Sequence, residues 1–292
     1  MAILSAIVTV AWWSGKFDIN KISMDILAWY GEPWRLATSI LPHIDAMHLI
    51  FNLYWLWVFG TIVENVLGSV RMAGMLLFFA IGSSVAEYAV FDGGVGLSGV
   101  GYGLFGFLWA VQRKDYRFRD SLDNQTVILF VLWFFLCIIL TETGVWNIGN
   151  IAHATGLALG GLLGHITVTK GRNRVVLSAI GIVLLVLIFL SGTFLRYIIN
   201  RSDDSGNYIA YAGYEALEEG RNKQAVNLYL EAIKMDRNEY EWWYNLGIAY
   251  KRLGKTQESK EAFNRAKELE PIEPDLMDEN EEGKTKEGER TM

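Results

Sequence analysis

Seven apolar runs follow one another through the first 200 residues, at 2–13, 49–67, 72–90, 98–111, 126–140, 151–168 and 175–199. Hydrocarbon offers no partner to a backbone N–H or C=O, so such runs cross lipid only as helices that satisfy their own backbone. The expected fold is therefore all-α: a polytopic membrane helix bundle, with a small helical domain behind it. The first run is shorter than the roughly 20 residues a span needs, and no basic flank marks it as a cleavable signal. It reads as a truncated first span, with a translation start further upstream as the expected cause.

Near residue 200 the chain changes character and becomes soluble and charged. Most of the net charge of −6 comes from that last third, while the apolar part is balanced or slightly basic. Basic residues sit in short loops and are not interleaved with aromatics, which excludes a nucleic-acid partner. The single cysteine, Cys137, excludes an internal disulfide framework and a multi-cysteine metal site. No phosphate loop or metal cluster occurs, so no cofactor is expected.

Orientation follows from the placement of Lys and Arg. Arg71 follows the second run, Arg113, Lys114, Arg117 and Arg119 follow the fourth, and Lys170, Arg172 and Arg174 follow the sixth. These alternate loops share one face, expected to be cytoplasmic. The N-terminus then lies inside, and the segment beyond residue 200 lies outside a cell (plasma) membrane.

With that orientation the second, fourth and sixth helices all begin at the outer face. His48 opens the second with Asn52 one turn deeper, Ser98 opens the fourth, and His153 lies near the start of the sixth. Each alone has an ordinary reading, as a packing serine, interhelical amide glue or a satisfied core histidine. Polar side chains are costly at membrane depth, however, and four at one level suggest a shared purpose. A serine hydroxyl cleaves a peptide bond when an imidazole takes its proton and donors await the oxyanion. Ser98, His153, Asn52 and His48 are residues of those types.

The segment Gly96-Leu97-Ser98-Gly99-Val100 is not the Gly-x-Ser-x-Gly elbow of soluble hydrolases, because Val100 stands where the second glycine would be. The glycine-rich stretch 91–96 before Ser98 should be irregular, which lipid tolerates only where it lines protein or water. The fourth helix is thus expected to start below the membrane surface and to offer free N–H groups near Ser98. Gly99 and Gly103 are spaced like Gly156, Gly160 and Gly164, so the fourth and sixth helices should approach closely. Tyr102, one turn below Ser98, should pack on the His153 ring.

These residues are similar to a known family. Glu32-Pro33-Trp34-Arg35, then His43, then His48-Leu49-Ile50-Phe51-Asn52, resemble the Trp-Arg loop and His-x-x-x-Asn motif of rhomboid proteases. Gly96-Leu97-Ser98-Gly99 with Tyr102, and Ala152-His153-Ala154-Thr155-Gly156, resemble their serine and histidine motifs, and Glu64 with Gly68 the end of their second helix. The resemblance covers about residues 30–168. It implies an intramembrane serine endopeptidase with a Ser98–His153 dyad and no third carboxylate. Asn52, His48 and the Ser98 backbone would stabilise the oxyanion, with Gly96, Gly99, Tyr102 and Gly156 in support. It also implies single-span membrane proteins as substrates, and a seventh helix added to a six-helix core.

Residues 206–239 and 240–273 align at the 34-residue offset of tetratricopeptide repeats. Gly213 pairs with Gly247, Gly220 with Gly254, Ala225 with Ser259, Tyr229 with Phe263 and Ala232 with Ala266. The expected domains are a protease membrane domain over 1–200, two repeats over 206–273 offering a protein or peptide partner a surface, and an acidic disordered tail over 274–292. Three other functions compete: an inactive rhomboid-like protein that binds clients, a transporter lined by the buried polar residues, and a membrane-anchored repeat scaffold. Retention of both Ser98 and His153 speaks against the first, and tolerance of Ser98→Ala would mark the second.

Overall fold

A computed structural model describes residues 1–201 and 205–269, which divide into two compact units at residues 202 and 203. The expected tail over 274–292 and the last residues of the second repeat, 270–273, lie outside the described residues. All regular structure among the described residues is helical. In the first unit the helices are α1 (Ala2–Trp13), a short α2 (Arg35–Thr38), α3 (Ala46–Leu67), α4 (Ser69–Val90), α5 (Ser98–Val111), α6 (Asn124–Glu142), α7 (Asn150–Val168), α8 (Gly171–Thr193) and a short α9 (Arg196–Ile199). Helices α3, α4, α6, α7 and α8 are long and apolar enough to cross a membrane, while α1 and α5 are shorter apolar helices.

Helix α5 is the axis of the bundle, with ten of its 14 residues buried. Around it stand α3, α4 and α7, and outside these α6 buries only Phe130 and Cys137, and α8 only Gly192. Such exposure of apolar side chains is what lipid contact requires and water forbids. Fourteen residues rise only about 21 Å, less than the roughly 30 Å of hydrocarbon. The loop over 91–97 must therefore accompany α5 if its chain is to traverse the bilayer.

Lipid is as apolar as leucine, so the central helices gain little by hiding methyl groups from it and associate instead through close backbone packing. A Cβ on Gly156 would lie 2.0 Å from the Gly99 carbonyl oxygen, and one on Gly160 would lie 1.9 Å from that of Gly103. No side chain fits at either position. On the other side of α5, Ser83 and Phe79 of α4 sit against Gly99 and Gly103.

The chain between α1 and α3 is more ordered than its irregular sequence suggests. The buried Arg35 guanidinium donates to Glu32 (2.7 Å), Asp25 (2.9 Å) and the carbonyls of Ser23 (3.0 Å) and Asn20. Trp34 stays half exposed and donates to the Lys21 carbonyl. Helix α1 turns Ser5 and Thr9 inward, and these and the more exposed Trp13 donate to carbonyls of Leu41 or His43.

Helix starts follow capping more than apolarity. Asp45 accepts from the His48 N–H and Asp123 from the Thr126 N–H, so α3 and α6 begin at Ala46 and Asn124, ahead of the apolar residues. His48 is consequently the third residue of its helix and does not open it. The last apolar run, expected to be one helix to residue 199, breaks at Phe194 and Leu195. Arg196 there turns inward, stacks on Tyr88 at 4.2 Å, donates to its carbonyl (3.1 Å) and pairs with Asp92.

The second unit comprises α10 (Ser205–Glu218), α11 (Asn222–Met235), α12 (Tyr240–Arg252) and α13 (Thr256–Leu269), each packed on the next. The two repeats use the same internal contact. A Cβ on Gly213 would lie 3.3 Å from the Tyr229 ring and one on Gly247 only 2.7 Å from that of Phe263, so the small residue of one helix admits the aromatic of the next. Arg252 donates to the Leu217 carbonyl (2.6 Å) and joins the repeats.

Candidate active site

Three helix starts and one loop build the site. Gly96 has φ +115°, a backbone that L side chains rarely adopt. A Cβ there would also meet His48 Cε1 at 2.6 Å, so glycine lets the loop turn while the His48 ring lies across it. The next residue, Leu97, donates its N–H to His43 Nε2 (3.3 Å), and His43 Nδ1 donates to the Leu41 carbonyl (3.1 Å). That pairing needs a neutral imidazole. Burial, with His48 beside it, lowers the His43 pKa to about 4 and keeps it so.

Ser98 is then the first residue of α5. Its Oγ lies 2.8 Å from His153 Nε2, and it is half-buried whereas His153 is almost fully enclosed. The Tyr102 ring sits on the imidazole with centroids 4.7 Å apart, tilted by 33°. Tyr102 is itself fixed by Phe130 and Phe134 of α6 and donates to the Phe130 carbonyl at 3.2 Å. Stacking limits rotation of the imidazole about its own plane, and Nδ1 of His153 has no hydrogen-bond partner among the described residues.

Asn52 lies one turn along α3 from His48 and is buried, with Nδ2 also unpartnered among the described residues. Helix α5 has no side-chain cap at its start, so the N–H groups of its first turn remain available near Ser98. Gly99 and Gly156 hold α5 and α7 at backbone contact one residue after Ser98 and one turn after His153. Among the described residues no group of three or more His, Cys, Asp or Glu is arranged to hold a metal ion.

Of the eight candidate residues, Ser98, His153, Tyr102, Gly99 and Gly156 meet directly, and His48 meets Gly96. Asn52 is placed nearby by helix position, one turn beyond His48. Two residues that sequence reasoning did not single out also touch this region. His43, quoted only as part of a motif, orients Leu97. Glu87, near the end of an apolar run, reaches the start of α7, where its carboxylate accepts the Ala152 N–H at 2.8 Å.

A bundle of apolar helices that encloses a hydrogen-bonded serine and histidine defines a membrane-embedded serine–histidine protein. Residues 30–170 match the family described as Rhomboid domain, while 213–254 match a TPR repeat and 240–272 a tetratricopeptide repeat. The chain carries a rhomboid domain followed by tetratricopeptide repeats. It is similar to proteins named Rhomboid protease GlpG from Salmonella paratyphi A and Salmonella newport. Each is 31% identical over 159 residues, which is 51% of this chain and 55% of the relative. The chain thus spans about half the length of the curated relatives it matches.

Proposed function

We propose that this protein is an intramembrane serine endopeptidase that hydrolyses peptide bonds in or next to transmembrane segments. The observation that carries the reading is the 2.8 Å contact between Ser98 Oγ and His153 Nε2 at the start of the central helix. Substrate approach brings a carbonyl carbon to Ser98 Oγ, and His153 Nε2 takes the hydroxyl proton as the C–O bond forms. The imidazolium returns that proton to the leaving amine as the C–N bond breaks. Water then attacks the acyl-serine by the same route in reverse. Asn52, His48 and the first-turn N–H groups of α5 serve the oxyanion. Incubating purified protein in detergent with a single-span substrate tests the reading, with Ser98→Ala alongside and a chelator in both samples. Chelator-sensitive cleavage that added metal restores would argue against a simple dyad.

Asn52→Ala is expected to lower kcat by about 10²-fold and to leave KM within a factor of two, because the amide acts on charge that develops only in the transition state. The buried and unpartnered Nδ2 supports this assignment. An unchanged turnover number would remove Asn52 from the mechanism.

The domain and topology readings belong to the same proposal: protease over 1–200, repeats over 206–273 and an acidic tail over 274–292, with the N-terminus cytoplasmic and the repeats outside. The repeats would raise the local concentration of a client's ectodomain. The sole native cysteine, Cys137, is buried, so a cysteine placed at the exposed Asn207 gives a clean signal. A membrane-impermeant maleimide should modify it in intact cells. Protection there, with labelling after lysis, would overturn the outward placement.

A further inference from the structure

Helix α7 begins without a cap of its own. Gly149 at its N-cap has no side chain, and its free first-turn N–H groups would leave a concentrated positive end inside a low-dielectric bundle. Glu87, from the neighbouring helix α4 and only 4% exposed, fills that role. Its Oε2 accepts the Ala152 N–H at 2.8 Å, and the Ile151 N–H lies against the same carboxylate. The glycines at both sides make room: a Cβ on Gly149 would lie 3.3 Å from Glu87 Cδ, and one on Gly94 would lie 3.4 Å from Cγ. Glu87 therefore touches the first turn that carries His153 and the loop that leads to Ser98.

A carboxylate is an expensive way to cap a helix in lipid, where Ser, Thr or Asn would suffice. When ionised, it has a use here that a neutral cap lacks. During acylation His153 becomes an imidazolium in the first turn of α7, where the positive end of the helix opposes a cation. Its Nδ1, which in a triad would face an acid, has no partner among the described residues. A negative charge bound one residue away, to the Ala152 N–H, offsets that opposition without touching the ring.

We propose that Glu87 is a positioning residue, which fixes the turn that carries His153 and supplies through the backbone the negative charge that a dyad lacks at its imidazole. The inference rests on the Ser98–His153 protease reading. Glu87→Gln keeps the shape and one acceptor oxygen for the Ala152 N–H while it removes the charge, whereas Glu87→Ala removes acceptor and charge together. Single-span substrate cleavage is measured in micelles for wild type, Ser98→Ala and both Glu87 variants, with thermal unfolding of each to set the folded fraction. Expected is a fall in kcat of about 3- to 30-fold for Glu87→Gln, at unchanged KM and unchanged melting temperature, and a larger fall for Glu87→Ala. A Glu87→Gln enzyme with wild-type kcat per folded molecule overturns the proposal, whatever its melting temperature, because a cap alone would then suffice. Wild type no faster than Ser98→Ala would overturn the protease reading and this inference with it.

Discussion

Alanine at Ser98, alanine at His153 and the two together are expected to leave one and the same residual rate, about 10⁴-fold or more below wild type. On the proposed mechanism both side chains act through the single 2.8 Å contact between them. Without the imidazole the hydroxyl has no acceptor for its proton. Without the hydroxyl, Nε2 of the imidazole loses the nucleophile it faces. Either loss removes the whole device, so the second substitution should cost nothing further. Both side chains are replaced by smaller ones at the ends of rigid helices, and the melting temperature should move by only a few degrees for Ser98→Ala. Single-turnover cleavage with matched folded protein is the measurement. A double variant substantially slower than either single one would mean that the two groups act independently, which the dyad forbids.

Alanine at Gly160, and equally at Gly156, is expected to lower kcat by about a hundredfold or more, although neither residue meets substrate. The added methyl would stand 1.9 Å or 2.0 Å from a backbone carbonyl oxygen of α5. Backbone cannot rotate away as a side chain can, so the two helices must part by more than 1 Å. A displacement of that size at a reacting pair costs about 10²-fold, and overpacking adds about 1–3 kcal/mol of destabilisation. Gly101, on the facing helix α5, provides the control, because a Cβ there has nothing within 4 Å. Gly101→Ala should behave as wild type. Equal activity for Gly101→Ala and Gly160→Ala would show that the spacing of α5 and α7 is not what holds the site together.

The helical class and most helix positions could be read from apolarity, because lipid forces the same answer on any long apolar run. The runs at 2–13 and 98–111 coincide with α1 and α5. Apolarity failed at the edges, where Asp45 and Asp123 begin helices before the apolar residues do and where Arg196 ends one inside an apolar stretch. Candidate residues near helix starts could be named from the sequence because the expected orientation puts those starts at one depth. The contribution of Glu87 was not, since a glutamate within an apolar run gives no sign of which distant backbone it meets. The ordered segment around Arg35 was legible only as a resemblance, because its structure depends on four oxygens scattered over 20–32.

The clasp beyond α8 has a mechanical consequence. Arg196 holds Tyr88 and Asp92, and the Arg201 N–H donates to the Val90 carbonyl at 2.7 Å. Tension applied to the chain beyond residue 201 therefore meets these bonds before it can load α8. Their far side is the end of α4 and the first residues of the loop that runs into Ser98. A load on that end of the first unit is thus delivered to the loop that leads to Ser98, which makes the loop its strain gauge.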